Sequence, residues 1–358
     1  MKLTQVTKKI DFSGETIYVG LDVHKKQWTV TIRTSLVEHK TFVQPPCAHT
    51  LGNYLKKNFP NADYKSAYEA GFCGYWIHYA LLEEGIDNIV INGSDLPTTH
   101  KEKSNKRDKV DSRKICKSLA AGLLTGIFIP TKAEAEEREV IRLRKKIVND
   151  ITRCKNRITS FLDRRGIRFS DSISTFSLWT GKHILWLEGL ELETQVGTSS
   201  LKIMIRELSE LTKVLKELER HIIKNVQEKY AEEFRLLKTV SGVGAITSVT
   251  VLAELGDTSR FPNVDRLVGF VGFIPNTHGS GEKEYSGNMT KRKNNYLQPI
   301  LIQSAWMALR RDPSLTKKYH KWCNRMKPSK AIVRVARQLL IRIRYVLINK
   351  KPYEISVN

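Results

Sequence analysis

Apolar and polar residues alternate near the start of the chain in a way that predicts β-strands. In IYVGLDVH, every second residue is apolar from Ile17 to Val23, which is the period of two of a strand with one buried face. QWTVTIRT and VEHKTFV repeat the alternation after short turns. Residues 17–43 are therefore predicted to form a three-stranded meander.

The segments that follow alternate between helix and strand patterns. LGNYLKKNF and GYWIHYALLEEG have the composition of short amphipathic helices, whereas YKSAYEA and NIVIN are predicted strands. A further helix is predicted over residues 107–122 and ends near Gly122. Three antiparallel strands followed by β-α-β-α is the element order of a ribonuclease-H-like α/β domain, which we expect over residues 1–130.

The middle of the chain has a helical period. Apolar residues recur every three or four positions from Val140 to Leu162 and again from Leu201 to Val226. This spacing predicts a long antiparallel coiled-coil arm or dimerisation element over residues 131–234, with residues between the two series as a connector at its tip. Two ordinary amphipathic helices packed on a core fit the pattern equally well.

The last region, residues 235–358, is predicted to be mostly helical. FRLLKTVSGVGAITSVTVLAELGD has a helix-hairpin-helix pattern whose turn contains Gly242 and Gly244. Glycines would let the backbone approach a phosphate, although packing alone would also explain such a turn. A loop-like, glycine-rich segment precedes a helix from Leu297. The arginine-rich helix at the end would lie along a phosphate backbone or form an amphipathic surface helix.

The charge of the chain favours a nucleic-acid partner. The 358 residues include 60 Lys and Arg against 37 Asp and Glu, a formal net charge of +23. Cations that replace counterions on phosphates supply much of the affinity for nucleic acids. No run reaches the ~18 apolar residues of a membrane span, and no signal peptide is recognisable. The five cysteines form no CxxC pair, so we expect neither zinc nor disulfides, and a cytoplasmic protein.

Four acidic residues stand out against this basic background. Asp22 interrupts the first strand, Glu69 closes the fourth, and Asp108 and Asp111 lie one helical turn apart. If that helix packs on the sheet, the carboxylates converge and can hold Mg²⁺, which would act on a phosphodiester. Ordinary surface ion pairs are the alternative for each acid. The cations expected to grip flanking phosphates are Lys106, Arg107, Lys109 and Arg113.

These motifs resemble a known family. YVGLDVHKKQWTVTI, YEAGFCGYWIHYALLEEG and NKRDKVDSRKICKSLAAG are similar to the N-terminal blocks of the DEDD transposases of bacterial insertion sequences, which are related to Piv-type DNA invertases. The stretch from LKTVSGVGAITS to YLQPILIQSAW resembles the C-terminal block of that family. The resemblance implies a RuvC-like domain, a coiled coil and a C-terminal transposase domain. It also matches Asp22, Glu69, Asp108 and Asp111 to the family's four acidic positions.

The resemblance further implies a nucleophilic serine. The family carries it before a glycine, after a GL-x-P stretch; here GFIPNTHGSG makes Ser280 the match, and Ser286 in YSGN remains a rival. The serine would attack the scissile phosphate and form a phosphoserine link from which the DNA is rejoined. The cations expected to neutralise phosphate beside it are Lys283, Lys291, Arg292 and Lys293.

The partners implied by the resemblance are donor and target DNA, a bridge RNA, and further copies of the chain as dimers that join into a tetramer. The expected function is that of an insertion-sequence transposase that uses Mg²⁺ and a phosphoserine intermediate. Two alternatives remain open from the sequence. One is a metal-dependent, structure-selective nuclease resembling a Holliday junction resolvase, with water as the nucleophile. The other is a nucleic-acid-binding scaffold without activity.

Overall fold

The chain forms two compact units, residues 1–129 and 130–358. The computed structural model describes residues 11–96, 108–169, 178–280, 283–290 and 292–355, and only the backbone at 108–109, 275–280 and 283–288. Each unit has its own buried core. A further division at residues 234 and 235 stays a prediction.

The first unit is built on a five-stranded mixed sheet in the order β3-β2-β1-β4-β5. Strands β1 to β3 are antiparallel neighbours, and β4 runs parallel to both β1 and β5. The predicted meander and the β-α-β-α order after it are confirmed. The elements are β1 (Thr16–Val23), β2 (Trp28–Arg33), β3 (Glu38–Gln44), α1 (Ala48–Asn58), β4 (Asp63–Glu69), α2 (Trp76–Glu83), β5 (Asp87–Ile91) and α3 (Asp108–Ala120).

One face of this sheet is covered by α1 and α2. The alternating apolar residues of β1, such as Ile17 and Leu21, are fully buried there. They form one cluster with Leu51 of α1 and Leu81 of α2. The period of two in the sequence therefore selects the buried face of β1, and the intervening residues project from the opposite face.

The opposite face is covered by α3, which touches the backbone of β1 at Gly20. A Cβ atom added to Gly20 would lie 2.5 Å from the Cys116 amide nitrogen. The Ser112 and Thr31 hydroxyls form a buried hydrogen bond of 2.9 Å. The Cys116 thiol donates to the Tyr18 carbonyl oxygen at 3.2 Å. These contacts hold α3 against the sheet and fix its register.

Substitution of Gly20 by alanine is expected to destabilise the first unit. The added methyl group would overlap backbone atoms of α3, which cannot rotate away, and such overpacking costs about 1–3 kcal/mol. The measurement is the midpoint of urea unfolding. Gly181→Ala, where the added Cβ meets nothing within 4 Å, is the matched control and should change the midpoint little. An unchanged midpoint in Gly20→Ala would contradict the close packing of α3 on β1.

The second unit is mostly helical, as predicted. It contains one two-stranded hairpin among the described residues. Its elements are α4 (Lys132–Asp163), α5 (Gly181–Glu188), α6 (Gln195–Lys229), α7 (Ala231–Leu237), α8 (Ala245–Leu255), α9 (Val264–Val271), β6 (Pro275–Ser280), β7 (Lys283–Met289), α10 (Leu297–Ala308), α11 (Pro313–Cys323) and α12 (Pro328–Asn349).

The two long helices α4 and α6 pack side by side and run antiparallel. Arg144 of α4 pairs with Glu219 of α6 at 2.6 Å, and Arg157 of α4 pairs with Glu207 of α6 at 2.6 Å. The residue numbers of the partners in α6 decrease as those in α4 increase, so the two helices are antiparallel. The predicted pair of long helices is confirmed, whereas a coiled coil and a role in dimerisation stay predictions. The connector contains α5, a helix of two turns that is too short for a periodic pattern.

The last helix, α12, lies at the centre of the second core. Residues spaced by three and four, including Val335, Leu339 and Ile343, are fully buried. Arg342 pairs with the buried Asp312 at 2.5 Å, and Arg344 donates to the Phe261 carbonyl oxygen at 3.2 Å. One face of α12 is therefore buried, as expected of an amphipathic helix, and Arg342 and Arg344 make contacts within the protein. Contact of this helix with a phosphate backbone stays a prediction.

No helix within the described ranges is both long enough and apolar enough to cross a membrane.

The glycine-rich segment expected to be a loop is in fact the hairpin of β6 and β7. Its strands pair from Pro275 with Met289 to Ser280 with Lys283. The sequence prediction was wrong here because glycine is depleted in strands, and three glycines interrupt the alternation in this segment.

Candidate active site

Asp22 and Glu69 lie at the same level on adjacent strands. Leu21 of β1 and Tyr68 of β4 are register partners, and each acid is the next residue along its strand. Because the strands are parallel, both acids reach the same, carboxyl-end edge of the sheet. Side chains alternate between the two faces of a sheet, so Asp22 lies on the same face as Gly20 and Glu69 on the same face as Ala67. That is the face covered by α3.

Helix α3 brings Asp111 toward the same edge. Its contacts with β1 show that it runs antiparallel to that strand, since Cys116 meets Tyr18 and Ser112 meets Gly20. Two further strand residues advance about 6.7 Å along β1, and four further helical residues advance about 6 Å along α3. The first turn of α3 therefore reaches the level of Asp22.

Asp108 begins α3 in the structure. Its side chain lies outside the described part of the molecule, so its position relative to the other acids stays a prediction.

The Glu69 carboxylate rests against the backbone of Gly93. A Cβ atom added to Gly93 would lie 2.9 Å from Glu69 Oε2 and closer still to the rest of the carboxylate. Gly93 follows β5 in a turn that Asn92 caps by accepting from the Ser94 amide at 3.0 Å. Gly93 was not among the predicted site residues, although Asn-Gly-Ser after a strand is a recognisable turn signal.

The immediate surroundings of Asp22 are partly enclosed. Its side chain is 21% exposed, and its Oδ2 atom lies 3.4 Å from His24 Nε2. Glu69 is exposed and Asp111 is half-buried. The carboxylates are thus accessible to a ligand at the edge of the sheet.

The donor set fits a hard divalent cation. Three segments contribute carboxylate oxygens, the ligands that Mg²⁺ and Ca²⁺ prefer, rather than the thiolates and imidazoles of structural zinc sites. Among the residues whose side chains are described, no three His, Cys, Asp or Glu lie close enough to hold a metal ion together. The structure therefore shows elements that converge on one edge, and it does not show a formed metal cage.

The predicted phosphate contacts beside the acids are only partly described. Arg113 Nε lies 2.9 Å from Glu38 Oε1 and donates to Thr41 Oγ1 at 3.2 Å, so β3 holds its guanidinium group. Lys106 and Arg107 lie outside the described residues, and only the backbone of Lys109 is described. Their contacts with nucleic acid stay predictions.

The candidate serines occupy different places in the hairpin. Ser280 ends β6 and is paired with Lys283, next to the turn, whereas Ser286 is paired with Thr277 further along the strands. Only the backbone of these residues is described. The register therefore puts Ser280 and Lys283 together at the tip of the hairpin.

The base of the hairpin is anchored to the core of the second unit. Gln298 donates to the Gly272 carbonyl oxygen at 2.8 Å, and the Thr290 amide donates to the Ile274 carbonyl oxygen at 3.1 Å. Gly272 has a φ of 90°, the left-handed region that favours glycine, so it permits the tight exit from α9. The hairpin thus projects from a fixed base.

Two predicted cations follow this base. Arg292 and Lys293 are exposed, and Lys291 lies outside the described residues. The side chain of the next residue, Asn294, accepts a hydrogen bond of 2.9 Å from the amide of Leu297, the first residue of α10. It also donates to Glu254 at 2.9 Å. This attachment, which no sequence pattern predicted, fixes the start of α10 directly after the two cations.

Glu254 is a buried carboxylate at the centre of these contacts. It is 1% exposed and receives two hydrogen bonds from Arg142 of α4, at 2.9 and 3.1 Å. A buried charge needs such paired partners to offset its desolvation. The network therefore links the long helix α4 to the segment that carries Arg292 and Lys293.

The two glycines of the predicted helix-hairpin-helix turn have different surroundings. A Cβ atom on Gly242 would lie 2.7 Å from the Ala308 amide nitrogen, and its φ of 84° also favours glycine, so close packing against α10 explains this residue. Gly244 precedes α8 and has nothing within 4 Å of an added Cβ atom. Phosphate binding at this turn stays a prediction, and the open surroundings favour Gly244 for it.

Two family models of transposases match this chain, one in its N-terminal region and one in its C-terminal region. A family model for DEDD transposases of the IS110 type matches residues 19–166. A second model, described as the transposase IS116/IS110/IS902 family, matches residues 234–321. The first match contains Asp22, Glu69, Asp108 and Asp111, and the second contains Ser280.

Relatives with these names align over most of the chain. The putative transposase y4rJ of Sinorhizobium fredii is 29% identical over 77% of this chain and 74% of its own length. A second putative transposase of that organism, y4qE, is 26% identical over 67% of this chain and 57% of its own. The transposase for insertion sequence element IS1111A of Coxiella burnetii is 26% identical over 62% and 59%. The alignment thus spans less than two thirds of the last two relatives. The family models and these relatives together make the chain similar to IS110-type DEDD transposases in both its N-terminal and its C-terminal regions, and they support DNA transposase activity.

Proposed function

We propose that the chain cuts DNA and rejoins it to a new partner through a phosphoserine intermediate, as the transposase of an insertion sequence. The observation that carries the proposal is the shared edge of the sheet, where Asp22 and Glu69 lie at the carboxyl ends of adjacent parallel strands, next to the start of α3. We propose that the unit around this edge is ribonuclease-H-like in the manner of RuvC, in keeping with its strand order.

Asp22, Glu69, Asp108 and Asp111 would hold Mg²⁺ in this proposal. When bound, the ion supplies charge that polarises the scissile phosphate and favours ionisation of an attacking hydroxyl. The acids provide oxygen ligands and orient them from the backbone of β1, β4 and α3. Lys106, Arg107, Lys109 and Arg113 would bind neighbouring phosphates, so cations hold the strand while carboxylates serve the metal site.

Ser280 would be the nucleophile. Its Oγ atom attacks the phosphorus and a serine–phosphate ester forms, while the bond from phosphorus to the leaving sugar oxygen breaks. In the net step the serine hydroxyl loses its proton and the leaving sugar oxygen gains one. Attack by a sugar hydroxyl of another DNA end reverses these steps, restores a phosphodiester and frees the serine. The place of Ser280 at the tip of an anchored hairpin supports this role over Ser286.

Cations around the hairpin would stabilise the charge on phosphate during both steps. Lys283 is the register partner of Ser280, and Lys291, Arg292 and Lys293 follow the hairpin in the sequence. Gly244 would add backbone contact with a phosphate at the start of α8.

Further partners belong to the same proposal. The formal net charge of +23 supports binding of donor and target DNA and of a bridge RNA that pairs with both. The long antiparallel pair of α4 and α6 is a candidate contact between copies of the chain, which would act as dimers joined into a tetramer on DNA.

The products of a strand-exchange reaction test the proposed function. The full chain is incubated with Mg²⁺, the bridge RNA and DNA that carries the ends of its element, and products are separated on denaturing gels. We expect joined strands and a covalent protein–DNA adduct. Cut strands without an adduct would favour the nuclease alternative, and bound but intact DNA would favour the scaffold.

Gly93→Ala is expected to impair the metal site selectively. The added methyl group would displace the Glu69 carboxylate, which can swing aside without unfolding the protein. The Mg²⁺ concentration needed for half-maximal strand joining should rise roughly tenfold, in the range seen when supporting contacts of a metal site are lost.

Gly71→Ala is the matched control for this substitution. Gly71 also lies close to Glu69, but an added Cβ atom would only reach ordinary contact, 3.9 Å from the Glu69 carbonyl oxygen. We expect its Mg²⁺ requirement and its unfolding midpoint to match those of the wild type. The same Mg²⁺ requirement in Gly93→Ala and Gly71→Ala would remove Glu69 from the site.

A further inference from the structure

Two aromatic side chains lie exposed in the segment that follows Glu69, and the proposed chemistry does not use them. Phe72 is 63% exposed and Trp76 is 49% exposed. Exposed aromatic rings close to a site of chemistry are candidates for contact with a ligand. Phe72 comes three residues after Glu69, and Trp76 comes four residues after Phe72. Both therefore follow directly on the edge of the sheet at which we expect DNA to be cut.

The turn that carries Phe72 is held in place on both sides. The Tyr68 hydroxyl donates to the Gly74 carbonyl oxygen at 3.1 Å, and the Gly74 amide donates to the Gly71 carbonyl oxygen at 3.2 Å. The ring of Trp76 lies 6.0 Å from that of the buried Trp28. These contacts hold the backbone around Phe72 and Trp76 in place, so both rings are exposed on an ordered surface.

A cation accompanies the exposed ring. Lys25 Nζ lies 5.7 Å from the centroid of Phe72. Lys25 is in the turn between β1 and β2, three residues after Asp22. An aromatic ring beside a cation is the combination that proteins use for single-stranded nucleic acid, where the base stacks on the ring and the cation neutralises the backbone.

We propose that Phe72 and Lys25 form a stacking site for an unpaired DNA base next to the strand that is cut. The location rests on the proposed function. A strand that is rejoined to a new partner must first leave its old complement, so unpaired bases arise close to the cut. The cation Lys25 beside the ring and the net charge of +23 favour a polyanionic strand as the occupant.

Photo-crosslinking tests this site without any strand cleavage. The full chain is mixed, in EDTA, with a single-stranded oligodeoxynucleotide that contains 5-iododeoxyuridine, irradiated, and analysed by mass spectrometry. We expect a crosslink in the peptide that contains Phe72. Phe72→Leu keeps an apolar side chain but removes the ring. It should abolish this crosslink and weaken the Kd for the oligonucleotide roughly five- to tenfold, in keeping with the loss of one stacked base.

The control is Leu36→Ala, which removes an 87% exposed apolar side chain at the opposite edge of the sheet and should change neither readout. Asp22→Asn should keep both the crosslink and the affinity, because the measurement in EDTA does not depend on the proposed chemistry. Crosslinks only at other sites, with an unchanged Kd in Phe72→Leu, would overturn the proposal. So would an unchanged Kd with altered sedimentation, since Phe72 would then contact another protein copy.

Discussion

Asp22→Asn and Asp111→Asn are each expected to abolish strand cleavage while the protein stays folded and bound to DNA. Asparagine keeps the shape of the side chain but removes the charge that a divalent cation requires. Bound metal stabilises the transition state by several kcal/mol, and each 1.36 kcal/mol corresponds to a factor of ten in rate. We therefore expect the cleavage rate, followed on labelled element-end DNA, to fall roughly a hundredfold or more.

Asp63→Asn is the matched control for these two variants. Asp63 is exposed and begins β4, at the opposite end of the strand that Glu69 closes. The same loss of charge at that end should leave the cleavage rate near the wild-type value. Retained activity in Asp22→Asn or Asp111→Asn, with DNA binding intact, would remove that residue from the site.

Ser280→Ala is expected to abolish the covalent protein–DNA adduct and all strand joining. The substitution removes the only oxygen of that side chain and leaves no nucleophile there, while the backbone of the hairpin is unaffected. Adduct is measured on denaturing gels with a nicked DNA substrate that traps the cleaved intermediate. Affinity for DNA should stay within about twofold, since binding rests mainly on phosphate contacts from cations.

Ser286→Ala provides the comparison within the same hairpin. Its place further from the turn predicts a normal adduct yield. The opposite result, with adduct lost in Ser286→Ala and kept in Ser280→Ala, would exchange the roles of the two serines. Cleavage that persists without adduct in Ser280→Ala would instead identify water as the nucleophile.

The sheet and its acids were predictable because the pattern is local. The alternation from Ile17 to Val23 determines which face of β1 is buried, and a charged Asp22 within that strand is costly unless it serves a ligand. Glu69 stands out in the same way at the end of its strand. The spacing of Asp108 and Asp111 predicts a shared helical face before any tertiary contact is known.

Contacts between distant segments were not predictable in the same way. The contact of Gly93 with Glu69 depends on the pairing of β4 with β5, and that of Gly20 with α3 depends on how a helix crosses a strand. For Gly242, a local pattern suggested a function that the tertiary contacts do not require. The helix-hairpin-helix spacing indicated phosphate binding, whereas close packing against α10 explains the glycine. The pairing of Arg142 with Glu254 joins residues more than a hundred positions apart and leaves no local signal.

The most direct test of the account asks whether the acids share one metal site. Fe²⁺ in place of Mg²⁺, with ascorbate and peroxide, produces hydroxyl radicals that cleave the backbone next to the bound ion. In the DNA complex of the full chain we predict cuts at three segments, close to Asp22, Glu69 and Asp111, that excess Mg²⁺ suppresses and that disappear together in Asp22→Asn. Cuts confined to one of these segments, or cuts that persist at the other two in Asp22→Asn, would contradict a shared site.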